Sequence, residues 1–520
     1  MSESQKFRKF VTQSFKLNGF SLTAEALSFI VQQLEPIPTY ERDSWLDKLV
    51  DQIHKQTIGS PFVEKKHIEE ALKECCRTEI NSEEQIFTVI SAFDIPQFTY
   101  DADAKKFKPV EKPERKLCAD PNAKSKLFRE RYNIIRQRTL RHSLFNNINP
   151  NATDGFKLDW IEYLNSLTNV KHRTVVLGMI SQLKENKYFL EDPSGIVQLD
   201  MSQTSYHAGL FTENCIVLAE GYYQDQILHV EALGFPPPEA SKTSRLYFGN
   251  QNIWGGPSSV SLKSVSRMVK MEESNESAML VVLSDVHLDN AKVMDRLQKL
   301  FAGFRQCPPT AIILMGEFLS IQYGSKHSHV LKEKLATLGM LIADHPYLSE
   351  THFVIVPAQN DSPHVNVLPR PSLPKFIARE FQSFVPNSTM ATNPCRIQYC
   401  SQEILVVREE LLSKMCRNCI HFPEEGDIAK HFIRTLVSQG SLMSLPLNLC
   451  PVYWSQVGAL SLYPLPDLVI LGDQLNAYSI TNTDCLFINP GSFVKQDFGF
   501  KVYIPASRQV EDSQIPDDEF

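Results

Sequence analysis

The chain has 520 residues, too many for one compact core, and its 42% hydrophobic and 22% charged content is that of an ordinary folded protein of several domains. A formal net charge of -7 argues against nucleic-acid binding through a general positive field, so DNA contact is local or made through a partner. No apolar run approaches the roughly 18 residues of a membrane span, the first ten residues lack the apolar core of a signal peptide, and 11 scattered cysteines fit a reduced intracellular compartment better than a disulfide framework.

Residues 1–95 are predicted to form a small helical domain. Phe7, Phe10, Val11 and Phe15 share one helical face, with Gly19 as the stop. Leu27, Ile30, Val31 and Leu34 repeat the pattern ahead of Pro36, and Leu46, Leu49, Val50 and Ile53 supply a third stripe. Residues 82–85, S-E-E-Q, read as a capping box that opens a further helix through Ile86, Phe87 and Ile90.

Residues 96–150 are expected to hold a linker and a basic helix. The stretch 101–126 is charged and carries prolines, a linker composition. Residues 126–142 form an amphipathic helix in which Arg129, Arg131, Arg136, Arg138 and Arg141 face either phosphate or an acidic partner, or else plain solvent with Leu127, Ile134 and Ile135 buried. Solvent is the simpler choice.

Residues 151–270 are assigned to a β-barrel domain. Five short β-branched or aromatic runs between 174 and 235, with a tight turn at Asp192-Pro193-Ser194-Gly195, suit an oligonucleotide/oligosaccharide-binding barrel. Tyr188, Phe189, Tyr222 and Tyr223 are candidate stacking platforms for single strands, but few Lys or Arg residues surround them, which favours packing.

From 271 to 520 the pattern is α/β. AMLVVLSD, AIILMGE, HFVIVPA and DLVILGD are apolar runs that each end in polar residues, with helices over 292–304 and 329–342 between them. Strands buried on both faces read this way, with site residues at their C-terminal ends.

Those strand ends resemble the motifs of the calcineurin-like metallophosphoesterases, in which D-x-H, G-D, G-N-H-D/E, a lone histidine and G-H-x-H hold two metals that activate water. Asp285 and His287 keep the first motif. Glu317 stands for the bridging aspartate, Gln359 and Asn360 occupy the amide and catalytic-histidine positions, and Asp473 follows Gly472 where the last motif has its first histidine, with Leu475 in place of the second. Ile488-Asn489-Pro490-Gly491-Ser492 resembles the closing N-P-G-S. Such a set is expected to keep the fold and not the reaction, with no catalytic residue, no metal and no cofactor.

An inactive phosphoesterase domain after a barrel resembles the B subunits of eukaryotic replicative DNA polymerases, and most closely the epsilon branch. The matching strings include residues 128–132 (FRERY), 176–180 (VLGMI), 189–193 (FLEDP), 392–400 (TNPCRIQYC), 414–419 (KMCRNC) and 450–454 (CPVYW). The helical module resembles the lid domain of AAA+ ATPases. The implied fold is multidomain α+β: this module, an OB-fold barrel and an α/β phosphoesterase sandwich. The resemblance implies a nuclear accessory subunit that binds the zinc-bearing C-terminal domain of the catalytic subunit. It also implies contact with the GINS part of the replicative helicase through the N-terminal module, company with small histone-fold subunits, DNA reached through the holoenzyme, and no membrane.

Cys395, Cys400, Cys416 and Cys419 have near-zinc spacing. The residues around the first two read as ordered strand, and the resemblance gives zinc to the catalytic subunit.

Overall fold

The computed structural model describes residues 3–34, most of 42–56, 62–76, 86–110, 117–146 and 156–516, apart from Thr168, Ser259, Tyr323, Ser362, His364 and Val365. Helices Glu3–Leu17, Ala24–Leu34 and Lys65–Cys76 build the N-terminal module. Two short strands, Ser21–Leu22 and Phe62–Val63, pair in parallel beside them. The three apolar stripes converge on one core: Val11 and Phe15, Ile30 and Leu34, and Leu46, Leu49, Val50 and Ile53, closed by Val63, Ile68 and Ala71. Phe10 is the exception, at 45% exposed. Gly19, at φ +81°, follows the first helix and turns the chain back through a conformation that favours glycine. Every residue of this core lies between 11 and 71, so the module has its own hydrophobic centre.

The capping box falls on residues outside the described set, but the helix it was expected to open is a strand. Phe87–Ser91 pairs antiparallel with Cys395–Tyr399 at the edge of a sheet in the C-terminal half. Thr88, Val89 and Ile90 are β-branched, and the side chains alternate: Phe87 and Val89 pack on one core while Ile90 enters another. The boundary at residue 95 therefore moves ahead of Phe87. The expected linker is also partly structured. Phe98–Asp101 and Lys106–Pro109 form a hairpin, and Phe107 is buried with its ring stacked on Phe248 at 4.1 Å.

The basic helix runs over Asn122–Arg141, and its arginines correct the expectation of a solvated face. Arg131 and Arg138 are 7% and 3% exposed. The helix is wedged between hairpin, barrel and sandwich, so three of its sides are covered. Arg138 donates to the Ser438 carbonyl. Arg141 grips Glu239 with two bonds of 2.9 and 2.7 Å and lies over the Tyr247 ring. Arg136 covers the Trp160 ring at 4.3 Å, and Arg129 is exposed.

The five expected runs are all strands of the barrel, and two short strands, Leu158–Asp159 and Ser205–Tyr206, add to its sheet. Asn169–Lys184 pairs with Lys187–Asp192 and with Ile216–Gln224. Gly195–Asp200 extends one side and Ile227–Gly234 the other, and these two close the barrel by parallel pairing of residues 198–200 with 227–229. In the tight turn, Asp192 Oδ1 accepts the N–H groups of Ser194 and Gly195 at 2.7 and 2.9 Å. The register slips at Gly221, where a Cβ would sit 1.9 Å from the His229 carbonyl oxygen; only glycine lets the strands approach there. Tyr223 is 1% exposed in the barrel core, and Tyr222 faces out with its ring stacked on His229.

Two six-stranded sheets pack face to face in the C-terminal half. The first runs 388–390, 352–356, 311–315, 280–284, 499–504, 509–514, and the second 478–482, 485–489, 468–472, 402–408, 395–399, 87–91. All four apolar runs are strands of these sheets. Leu280 and Val282 face the inter-sheet core, and Val281 and Leu283 face helices Ala291–Gly303, His327–Ala343 and Lys375–Phe384 on the outside. Helices Leu411–Arg417 and Ile428–Gln439 cover the second sheet.

Barrel and sandwich are joined by polar bonds. Phe211–Thr212 pairs with Cys419–His421, Asn214 donates to the Leu445 carbonyl at 3.1 Å, and Gln439 makes both bonds to the Ile216 backbone at 2.8 Å. Gln439→Leu would leave a buried N–H and C=O without partners. We expect a loss of about 1–3 kcal/mol in urea unfolding; an unchanged midpoint would show that this bridge does not hold the barrel to the sandwich.

Candidate functional site

The C-terminal ends of strands from both sheets meet at one edge of the sandwich. Strand Leu280–Ser284 delivers Asp285, fully buried and at φ +57°. Strand Leu468–Gly472 delivers Asp473, also buried. Between them, strand Gln402–Arg408 of the second sheet ends in a residue whose role the motifs do not reveal. Arg408, 2% exposed, sends its guanidinium into the centre of the acids.

Its donors are almost fully used. Nη2 binds Asp285 Oδ1 at 2.6 Å, Nε binds the Gly316 carbonyl at 2.6 Å, and Nη1 binds Glu410 Oε1 at 2.7 Å and the Gly472 carbonyl at 3.2 Å. Burial pulls the arginine pKa down, but the charges of Asp285 and Glu410 outweigh it and raise the value. Gly472 makes room for it: a Cβ there would lie 2.8 Å from Arg408 Cδ and 2.9 Å from Ser284 Oγ.

The loops around the centre are pinned by buried acids and amides. Asp361 accepts the N–H groups of Phe318 and Ala358 at 2.7 and 2.8 Å, and burial pushes its pKa up to about 6. Gly316 fits against it so closely that a Cβ would meet Asp361 Oδ2 at 1.8 Å. Asn489, from the N-P-G-S string, accepts the N–H groups of Asp473 and Gly491. Behind Arg408, Asn393 bonds the Arg408 N–H and carbonyl, while Glu409 is held between Arg370 and Lys414.

Of the residues singled out by the motifs, Asp285 and Asp473 reach the centre. Glu317 turns to the rim, where it accepts from Asn360 Nδ2 at 2.5 Å, and Gln359 is exposed. His287 is half-buried. Its Nε2 and Asp285 Oδ2 have no hydrogen-bond partner among the described residues. The motifs give no role to Arg408 or Glu410, although both sit at the end of a buried run, EILVVREE, the same position that marks the others, whereas Asp361 is the acid that closes the third motif.

This donor set does not fit a pair of metals. A cation already stands between the carboxylates, bonded to one oxygen each of Asp285 and Glu410, and its charge opposes a second cation beside it. Among the described residues no group of three or more His, Cys, Asp or Glu is arranged to hold a metal ion. Cys395 lies in the inter-sheet core and Cys400 at a buried turn, and burial lifts their thiols to about 12 and about 11. Cys416 and Cys419 flank Arg417, with Cys419 Sγ donating to the Cys416 carbonyl.

Residues 280–479 match the B-subunit family of DNA polymerases alpha and epsilon. The DNA polymerase epsilon subunit 2-like OB-fold domain matches 121–237, and the N-terminal domain of DNA polymerases epsilon matches 3–75. DNA polymerase epsilon subunit 2 of Homo sapiens is 44% identical over 98% of this chain and 99% of its own length. The Drosophila melanogaster protein of that name is 42% identical over 98% of each chain, and the probable DNA polymerase epsilon subunit 2 of Caenorhabditis elegans 32% over 99% of this chain and 96% of its own. Among solved structures, an archaeal phosphodiesterase covers 45% of this chain and 98% of its own at 11% identity, with a TM-score of 0.26. An OB barrel joined to a two-sheet sandwich, with these family matches and relatives, defines an accessory subunit of a replicative DNA polymerase. The chain belongs to the DNA polymerase epsilon subunit 2 family.

Two outcomes test the site. Arg408→Met would strand Asp285 and Glu410 without their counter-charge, at a cost of about 3–5 kcal/mol, and Asp285→Leu added to it should recover much of the loss. Urea unfolding of both variants checks this, and a single variant of wild-type stability contradicts it. The second outcome concerns pH. Burial and the neighbouring Glu410 push Asp473 up to about 8, so the folded chain keeps a proton that the unfolded chain releases near pH ~4. The stability this proton supplies is complete below about pH 4 and is lost as pH rises to about 8. Asp473→Asn should flatten the fall of the urea midpoint between about pH 4 and about pH 8; an equally steep fall would place the proton elsewhere.

Proposed function

We propose that this chain is a non-catalytic scaffold in the DNA polymerase epsilon complex, built on a phosphoesterase sandwich whose metal chemistry is gone. One observation carries the proposal: the Arg408 guanidinium, bonded to Asp285 and Glu410, stands where a hydrolytic centre needs metal ions and water. Glu317 and Gln359, turned to the rim and the surface, support the same conclusion.

Barrel and sandwich, joined through Gln439 and the basic helix, offer the broad rigid surface that a stable partner contact of about 1,200–2,000 Å² requires. We assign this unit to the zinc-bearing C-terminal domain of the catalytic subunit. The N-terminal module, with its separate core and its proposed likeness to an AAA+ lid, is assigned to the GINS part of the replicative helicase. The small histone-fold subunits and DNA are reached within the holoenzyme, in the nucleus.

Deleting residues 1–76, which spares the strand Phe87–Ser91, should leave co-purification with the catalytic subunit intact and abolish recruitment to the helicase. The full chain with manganese should hydrolyse neither bis(p-nitrophenyl) phosphate nor single-stranded DNA. Loss of the catalytic subunit from the truncated chain, or turnover that vanishes in Asp285→Ala, would overturn the proposal.

A further inference from the structure

A cavity of about 450 Å³ lies where the basic helix, the 98–109 hairpin and the Trp454–Leu460 segment meet. It is separate from the acid centre: neither Asp285 nor Arg408 lines it. Phe98, Phe107, Phe248 and Trp254 supply much of the wall. Phe107 and Phe248 stack with planes 2° apart, and Phe98 meets Phe248 edge-on at 5.4 Å, so part of this wall is a flat, mutually supported set of rings.

Two guanidinium groups share the wall. Arg131 donates from Nη2 to Gln439 Oε1 at 3.2 Å and to the Asn214 carbonyl at 3.5 Å, while its Nε and Nη1 have no partner among the described residues. Arg396 donates to the carbonyls of Ile253, Trp254 and Gly458, and its Nε is likewise unpartnered. No carboxylate among the described residues is bonded to either. The other charged groups on the wall, Lys126 and Glu130, pair with each other at 3.7 Å and leave the arginine charge uncompensated. Burial pushes both arginines down to about 10. A buried cation with unused N–H groups is expensive. On the wall of a cavity, unlike in a filled core, a ligand has room to complete it.

We propose that this cavity binds a small organic anion, a carboxylate or phosphate carried on a flat apolar body, with the charged end drawn toward the Arg131 guanidinium and the body against the aromatic wall. Its size and its aromatic wall suit a small molecule with both features, since an apolar body alone would leave Arg131 unpaired and an inorganic ion alone would leave the rings uncovered.

Thermal unfolding of the full chain with 2-naphthoate, 2-naphthyl phosphate and the neutral 2-naphthylmethanol tests this. One or both anions should raise the melting temperature in proportion to the logarithm of concentration. The alcohol should bind about tenfold or more weakly. Which anion acts separates a carboxylate site from a phosphate site. In Arg131→Met, which removes an unpaired charge and retains apolar bulk, the preference for the anion should vanish while weak binding of the alcohol persists. The wild-type comparison of anion with alcohol is decisive by itself should the variant not fold. No shift with either anion, equal binding of the alcohol, or an anion preference that survives Arg131→Met would overturn the proposal.

Discussion

The sandwich depends on one buried cation. Arg408 begins on the second sheet and spends its guanidinium on both: Asp285 and the Gly316 carbonyl belong to the first, Glu410 and the Gly472 carbonyl to the second. A charge this deep is tolerated only because nearly every donor is matched. The surrounding polar groups serve that match. Asn393 fixes the Arg408 backbone, and Gly472 leaves space for the side chain. The apolar layer between the sheets supplies the non-directional stabilisation, and the guanidinium determines how their ends meet.

On the proposed reading, that arrangement lets a catalytic architecture persist without catalysis. A metal pair ties several strand ends together as a by-product of its chemistry. A guanidinium ties them with fixed donors and offers no open position for water. The rest of the molecule follows the same principle of rigid joining. The basic helix, the edge strand Phe87–Ser91 and the Gln439 bridge fuse barrel and sandwich, whereas the N-terminal module keeps a core of its own. A rigid body and a separately folded module are what the proposed scaffold role requires.

Much of this is legible in the sequence because it rests on periodicity. Runs such as AIILMGE and DLVILGD announce strands buried on both faces, and the stripes through Phe15, Ile30 and Ile53 announce a helical core. The failures have physical causes. At Phe87–Ser91, S-E-E-Q suggests a helix start, but partnership with Cys395–Tyr399, some 300 residues away, and alternating burial decide for strand. Arg131 and Arg138 look like surface residues in a charged helix, and nothing local reveals that the barrel and the sandwich close over them. Arg408 is invisible to a template of metal ligands, which consists of acids and histidines and has no place for a buried cation among them.

The most direct test is a titration of the full chain with Mn²⁺ followed by electron paramagnetic resonance. With Arg408 filling the centre, the wild-type spectrum should show no bound ion that disappears in Asp285→Asn. Stoichiometric Mn²⁺ binding that is lost in Asp285→Asn would mean that Arg408 yields to a metal and that the site is not purely structural.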